Sequence, residues 1–396
     1  MPGLSATVLR LGMYYLRRLK AFEQLYLAGG DSADQALEQF DADWDQVQQL
    51  LDRAEPQSGW SPELTDVCAT YPLAAGRLFA VRVPAAQRVR WLTRCAAARW
   101  YAAEPGSRAA VLNMRGAAER EVGRVGQAIA CHEEAVGLAR AGGDRNSEGV
   151  ALNGLGLAHR DLAAHARAVE FLRQAVDVHR EVGNHASVVA DLVNLGLSYA
   201  ESGQPEPAVG CWEQALATAR GSGNVRGTAH ALSNLSLAYT ELGEPGRGIG
   251  AAEEALPLLR ALGDRVGEVA LLNSLGVAAF RAGQLERSAE LYDQAAELAH
   301  RLGSRHLQAM AQLNLGIALA ALGQTPAAVK ALTRGLGVAR ETGDRYCEGQ
   351  CLARLGAAYR RLGDKARAVE CFRLSLECRQ AAAGTPTGRV AGGTAE

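Results

Sequence analysis

The sequence predicts an all-α chain, a solenoid of helical hairpins behind an N-terminal helical cap. Three observations carry that prediction. A small residue recurs every 40 positions, at Gly116, Gly156, Gly196, Ser236, Gly276, Gly316 and Gly356, without a slip. Two more small-residue series keep step: Ala128, Ala168, Ala208, Gly248, Ser288, Ala328 and Ala368, then Ala135, Ala175, Ala215, Ala255, Ala295, Gly335 and Ser375. Turn signals recur at the same interval, as in Gly143-Asp144-Arg145, Gly263-Asp264-Arg265 and Gly343-Asp344-Arg345, and no segment shows a convincing strand pattern. A fixed period of this length marks stacked supersecondary units.

Residues 1–67 read as the cap. LRLGMYYLRRLKAFEQLYLAG has a helical pattern ended by Gly29-Gly30, and DQALEQFDADWDQVQQLLDRA has another ended near Pro56. A solenoid needs its first apolar face covered, and a separate binding role is the alternative. Residues 68–108 read as a degenerate hairpin. Gly76 lies one period before Gly116, Leu92 and Cys95 fall where Leu172 and Ala175 do, and Val83-Pro84 replaces the usual turn.

Residues 109–380 form seven repeats, each read as two helices (A, then B) of roughly 15–18 residues. Leu152, Leu155, Gly156 and His159 share one face of a helix A, and Ala168, Leu172 and Ala175 one face of its helix B. Small residues there let two backbones approach while bulky neighbours fill the gap. Gly263 suits the left-handed residue after a helix and Asp264 the N-cap of the next. Thr325 reads as an N-cap and Pro326 as a first-turn proline. Residues 381–396, small and glycine-rich, read as a disordered tail.

Small residues eight, twenty and twenty-seven places into a helical hairpin resemble the tetratricopeptide repeat (TPR). With Asn-Leu-Gly in helix A and Gly-Asp-Arg between copies, the 40-residue form resembles the long-repeat branch. That branch includes Pins/LGN-type adaptors and the C-terminal arrays of bacterial STAND and SARP-type regulators. The resemblance covers residues 109–380 and implies a right-handed superhelix whose inner surface is lined by helices A. One departure stands out: Leu152, Leu192, Leu232 and Leu272 replace the usual aromatic near the start of helix A.

Composition narrows the function. Forty-two basic residues against 43 acidic ones, for a net charge of −1, lack the footprint of nucleic-acid or membrane binding. No Gly-Lys pair exists, so there is no P-loop. The N-terminus has no signal-peptide pattern, and eight cysteines read as reduced thiols of a cytoplasmic, bacterial protein. Cys347, Cys351, Cys371 and Cys378 could in principle hold zinc, but Cys131 and Cys211 share the repeat position of Cys371, where sister copies have Ala251, Leu291 and Ala331. They read as packing residues, as does His132, which stands where Leu172 and Trp212 do. No catalytic residue, metal or cofactor is expected, and oligomeric state is left open.

A second stripe on helix A carries the binding expectation. In the middle copies it reads Val193, Leu197, Ala200; Ser233, Leu237, Thr240; Asn273, Val277, Phe280; and Leu313, Ile317, Ala320. Asparagines accompany it at Asn113, Asn153 and Asn273, and one place on at Asn194, Asn234 and Asn314, with Arg354 in the last copy. An amide both donates and accepts, so it can bracket a peptide backbone; hydrogen bonds between repeats are the competing reading. A charge column, Glu121, Asp161, Glu201 and Glu241, then Arg281, Ala321 and Arg361, reads either as solvated surface or as a polarised groove. The expectation is a non-enzymatic scaffold binding a protein or peptide ligand along this stripe. The alternative is a sensor or regulatory subunit of a STAND-like system.

Overall fold

The computed structural model describes residues 2–28, 31–53, 62–96 and 105–383. Among the described residues it holds helices and no strand. They are α1 (Pro2–Ala28), α2 (Asp31–Arg53), α3 (Pro62–Ala69), α4 (Tyr71–Arg82), α5 (Ala85–Ala96), α6 (Pro105–Glu121), α7 (Val125–Gly142), α8 (Arg145–Asp161), α9 (His165–Glu181), α10 (His185–Glu201), α11 (Pro205–Gly221), α12 (Val225–Glu241), α13 (Pro245–Ala261), α14 (Arg265–Arg281), α15 (Leu285–Arg301), α16 (Arg305–Ala321), α17 (Thr325–Thr342), α18 (Arg345–Arg361) and α19 (Lys365–Ala383). The expected ends at Gly29-Gly30 and near Pro56 lie outside the described residues. The expected tail begins inside α19, which runs to Ala383; residues 384–396 also lie outside them.

The chain divides into two compact units, Met1–Ser202 and Gly203–Glu396, with the boundary inside the third repeat. In the first unit, α1 to α5 build an aromatic core. The Trp44 ring stacks on Phe40 at 5.0 Å and meets Trp91 edge-on at 5.2 Å. Tyr71 donates to the Gly12 carbonyl at 2.8 Å, tying α4 to α1. Val111 and Ala118 of α6 are buried in the same core, so the N-terminal block packs directly on the first repeat. Leu92 and Cys95 are buried as expected.

Gly76 departs from its expected part. It sits at φ 31°, ψ −101°, kinking α4, and a Cβ there would meet the Glu23 carboxylate at 2.7 Å instead of a helix-B side chain. That carboxylate accepts the backbone N–H of Arg77 at 2.9 Å and of Leu78 at 3.1 Å, satisfying the donors the kink exposes. Val83 is extended, as the residue before a proline must be, and α5 starts just after Pro84.

Each repeat is a pair of 17–19-residue helices. Gly263 is left-handed at φ 66° and the Asp264 carboxylate caps the Gly267 N–H at 2.8 Å. Asp144 and Asp344 do the same for Ser147 and Cys347. At α17 the N-cap is Gln324, not Thr325, which is the first helical residue; Pro326 lies in the first turn, where no N–H partner is lost. The four leucines that stand in the aromatic position are all buried.

Close helix approach explains the small residues. A Cβ on Gly156 would meet Leu172 at 2.5 Å, on Gly276 the Tyr292 ring at 2.6 Å, and on Gly316 Leu332 at 2.4 Å. Each obstacle stands sixteen places later, on helix B of the same repeat. Repeat four solves the problem differently. Ser236 takes the glycine position, its opposite number is the small Ala252, and a Cβ on Gly248 would meet the Ser236 carbonyl at 2.7 Å.

Candidate functional site

In the first unit, helix A side chains mostly bind other repeats. Asn113 donates to the Ser147 carbonyl at 3.2 Å and accepts from His132 Nδ1 at 3.1 Å. Asn153 donates to Asp191 at 2.6 Å. Asn194 and Leu197 are half-buried, and the Asn194 amide makes no side-chain hydrogen bond among the described residues.

His132 is buried over Gly116 and Gly154, the packing place expected for it. Burial, with Arg120 nearby, pushes its imidazole down to about 4. Between pH 6.5 and 4 the unfolded chain therefore binds a proton that the folded chain refuses. Stability is full above pH 6.5 and falls by about 3 kcal/mol as pH drops to 4. His132→Leu, which copies Leu172 and Leu332, should flatten that part of the profile, at the cost of an Asn113 side-chain oxygen left without its donor at neutral pH. Urea unfolding at stepped pH checks this; an unchanged slope would assign the acid sensitivity to other groups.

A second buried histidine went unrecognised in the sequence. His179 donates from Nδ1 to Asp191 at 2.6 Å, and Asp191 also holds Asn153. Both ionisable groups are almost fully buried. Burial raises the Asp191 carboxyl, with the hydrogen bonds from His179 and Asn153 pulling the other way. The pair has half the form of a nucleophile-activating couple. The other ring nitrogen, however, faces Gly149, whose Cβ, if present, would lie 2.5 Å away, and it has no hydrogen-bond partner. The legible signal was a column break: sister copies have Ala219, Leu259 and Ala299 at the histidine and Ala231, Leu271 and Ala311 at the aspartate.

In the second unit the stripe is more open. Leu237 is 43% exposed, although Leu232, Leu235 and Tyr239 of the same helix are buried. The neighbouring Asn234 amide makes no side-chain hydrogen bond among the described residues. Val277 and Phe280 pack against the core that holds Tyr292, Leu315 and Ala318, and Ile317 is half-buried. Asn314 donates to Asn273 at 2.9 Å, joining two repeats. Arg354 is exposed with no side-chain partner among the described residues. The stripe is thus part packing and part surface, and Leu237 is its most exposed member.

The charge column ties repeats together. Arg88 pairs with Glu121, Arg120 with Asp161 at 3.1 Å, and Arg160 with Glu201 at 3.8 Å. In the second unit Arg281 reaches back to the Thr240 carbonyl at 3.0 Å and Arg361 to that of Ala320 at 2.9 Å. Apart from Arg88–Glu121, each contact spans 41 residues: an acid in the first half meets an arginine of the preceding repeat, and an arginine in the second half meets a backbone carbonyl of the preceding repeat.

The cysteine cluster of the last repeat is buried except for the half-buried Cys371. A hydrogen bond with Cys347, together with burial, pushes the Cys351 thiol upward, away from the thiolate that metal binding needs. Among the described residues no group of three or more His, Cys, Asp or Glu is placed to hold a metal ion, and no helix is long and apolar enough to cross a membrane.

A tetratricopeptide-repeat family model matches residues 107–181 and 268–341, and a second such model matches 349–387. These are tetratricopeptide repeats. A model of anaphase-promoting complex subunit 5 matches residues 157–242, between the two TPR segments. No curated protein sequence matches. Among solved structures the TPR chain resembles a Signal Transduction ATPase with Numerous Domains (STAND) protein with a tetratricopeptide repeat sensor from Pyrococcus horikoshii. That match has 16% identity and a TM-score of 0.64, covering 85% of this chain and 52% of that one. It also resembles the apo quorum sensor NprR from B. thuringiensis, at 15% identity and TM-score 0.61, over 93% and 99% of the chains. A Rap protein complexed with Competence and Sporulation Factor matches at 15% identity and TM-score 0.55, over 97% and 99%. At these identities the likeness is one of fold.

Proposed function

We propose that this TPR protein is a non-enzymatic interaction module, and that the second stripe of helices A in the second unit receives a peptide or helix of a partner protein. The observation that carries the reading is Leu237. It is a large apolar side chain left open on a helix whose other face already closes the repeat, and such exposure marks contact surfaces when it forms part of a patch. Val277, Phe280 and Ile317 continue it, Asn234 offers a free amide, and Arg354 a cation for an acidic group. Asn273 and Asn314 hold each other, which makes them rim residues that position the stripe.

The sensor reading uses the same surface and adds an effector that answers when it is filled. Fold-level likeness to a quorum sensor, to a STAND protein with a TPR sensor and to a Rap protein solved with a bound factor supports keeping it. A neighbouring gene for an NTPase or effector that binds this chain would favour it over a passive scaffold.

Leu237→Asp tests the site. Being 43% exposed, the position should tolerate the charge with a change in melting temperature of no more than a few degrees. Peptides selected from a displayed library on the wild-type protein should lose at least ~10-fold in affinity for the variant, about 1.4 kcal/mol. Asn234→Ala should weaken the same peptides without loss of stability. Unfolding of Leu237→Asp would make the residue a packing group, and unchanged peptide affinity would place the site elsewhere.

A further inference from the structure

The second unit contains a cavity of about 400 Å³ lined by Arg260, Arg265, Glu268, Gln294, Glu297 and Arg301, among others. Its floor is a motif that recurs through the array. Glu268 is 5% exposed and clamped by Arg260 at 2.7 Å and Arg265 at 2.9 Å. Glu148 is held the same way by Arg140 and Arg145, and Glu348 by Arg340 and Arg345. Burial alone would raise these carboxyls, yet the paired guanidiniums hold all three below the usual range, so they stay ionised.

What differs is the next charge outward. Thirty-six residues after the arginine that opens helix A stands an acid that pairs with it: Glu181 with Arg145, and Glu341 with Arg305 at 2.5 Å. At the corresponding place for Arg265 stands Arg301. A basic residue ending a helix is ordinary; this column is otherwise acidic at Glu181 and Glu341 and small at Ala141, Gly221, Ala261 and Ala381, so Arg301 alone in it puts a further cation on the same cavity as Arg265. Arg301 has no ion pair among the described residues, and Glu297, one turn before it, lines the cavity without reaching it. Three guanidiniums against two carboxylates leave the cavity with a net positive charge.

We propose that this cavity binds an oxyanion, a phosphate or carboxylate group carried by a ligand or partner, which takes the place that glutamate holds beside Arg145 and Arg305 and bridges Arg265 and Arg301. Guanidiniums suit such a group because their planar N–H forks match its oxygens in pairs. About 400 Å³ leaves room for the group and part of what carries it.

The experiment titrates the full chain with inorganic phosphate, and separately with acetate, at constant ionic strength balanced by chloride. Calorimetry and thermal unfolding are the readouts. Wild type should show saturable binding and a rise in melting temperature. R301E introduces the acid that pairs with this arginine in repeats two and six. It should melt higher than wild type in chloride alone and bind the anion at least ~10-fold more weakly, a loss of about 1.4 kcal/mol. R301A should lose affinity without the gain in melting temperature. Phosphate bound in preference to acetate points to a phosphorylated ligand, and equal binding to a carboxylate. Binding of neither, or equal binding by wild type and R301E, overturns the proposal.

Discussion

Asp191→Ala should destabilise the first unit by about 3–5 kcal/mol, the range for breaking one side of a buried polar pair. The carboxylate is 2% exposed and joins three consecutive helices, accepting from His179 on α9 and Asn153 on α8. Its removal strands the buried His179 donor and leaves the half-buried Asn153 amide without its acceptor. The sister repeats supply the control. Leu259 and Leu271 occupy the same two places, so His179→Leu/Asp191→Leu should be far less destabilised than Asp191→Ala. Stacked repeats need not unfold in one step. The measurement is therefore hydrogen exchange, comparing amides of α8 to α10 with those of the second unit. If Asp191→Ala costs under ~1 kcal/mol and the double change is no better, the three side chains are not coupled.

Gly276→Val should cost about 2–3 kcal/mol through overpacking. Its Cβ would sit 2.6 Å from the Tyr292 ring, which is 4% exposed and has little room to withdraw. Helix propensity favours valine over glycine by a few tenths of a kcal/mol, too little to offset the clash. Tyr292→Ala alone should also destabilise, by about 3–5 kcal/mol, because it opens a cavity. Together the two changes should cost less than their sum, since each relieves the other. Repeat four already carries a version of this exchange, with Ser236 opposite Ala252. Additive losses in denaturant unfolding would show that helix A tolerates a side chain there, and that the glycine series has another cause.

Most of the fold was legible because periodicity is a local property repeated many times. One helix with a glycine proves little, but seven small residues in register, six of them glycines with a bulky residue sixteen places on, leave one packing solution. Capping was legible for the same reason: Asp264 and Gly263 act through their own backbone, so their roles follow from residue type. The errors fall where repetition stops. Gly76 shares the register of Gly116, yet its neighbour is Glu23 from α1, a contact across 53 residues that no period announces. Thr325 was placed one residue out because Gln324, a poor capping residue by type, takes the boundary.

The binding stripe shows the division most clearly. Spacing alone determined that Leu237, Val277 and Ile317 share one face of successive helices A, because a helical period fixes direction. It could not rank them by exposure, since that depends on how far the next repeat reaches over each. Tertiary packing made Phe280 part of a core and left Leu237 open. It also sorted the asparagines, joining Asn273 to Asn314 and Asn153 to Asp191 while leaving the Asn194 and Asn234 amides without a side-chain hydrogen bond among the described residues. The same holds for charge. The repeat register alone shows that Arg301 stands where repeats two and six have glutamate. Only the tertiary structure placed it on a cavity with Arg260 and Arg265, because which charges meet is settled by distance in space, and separation along the chain carries no such information.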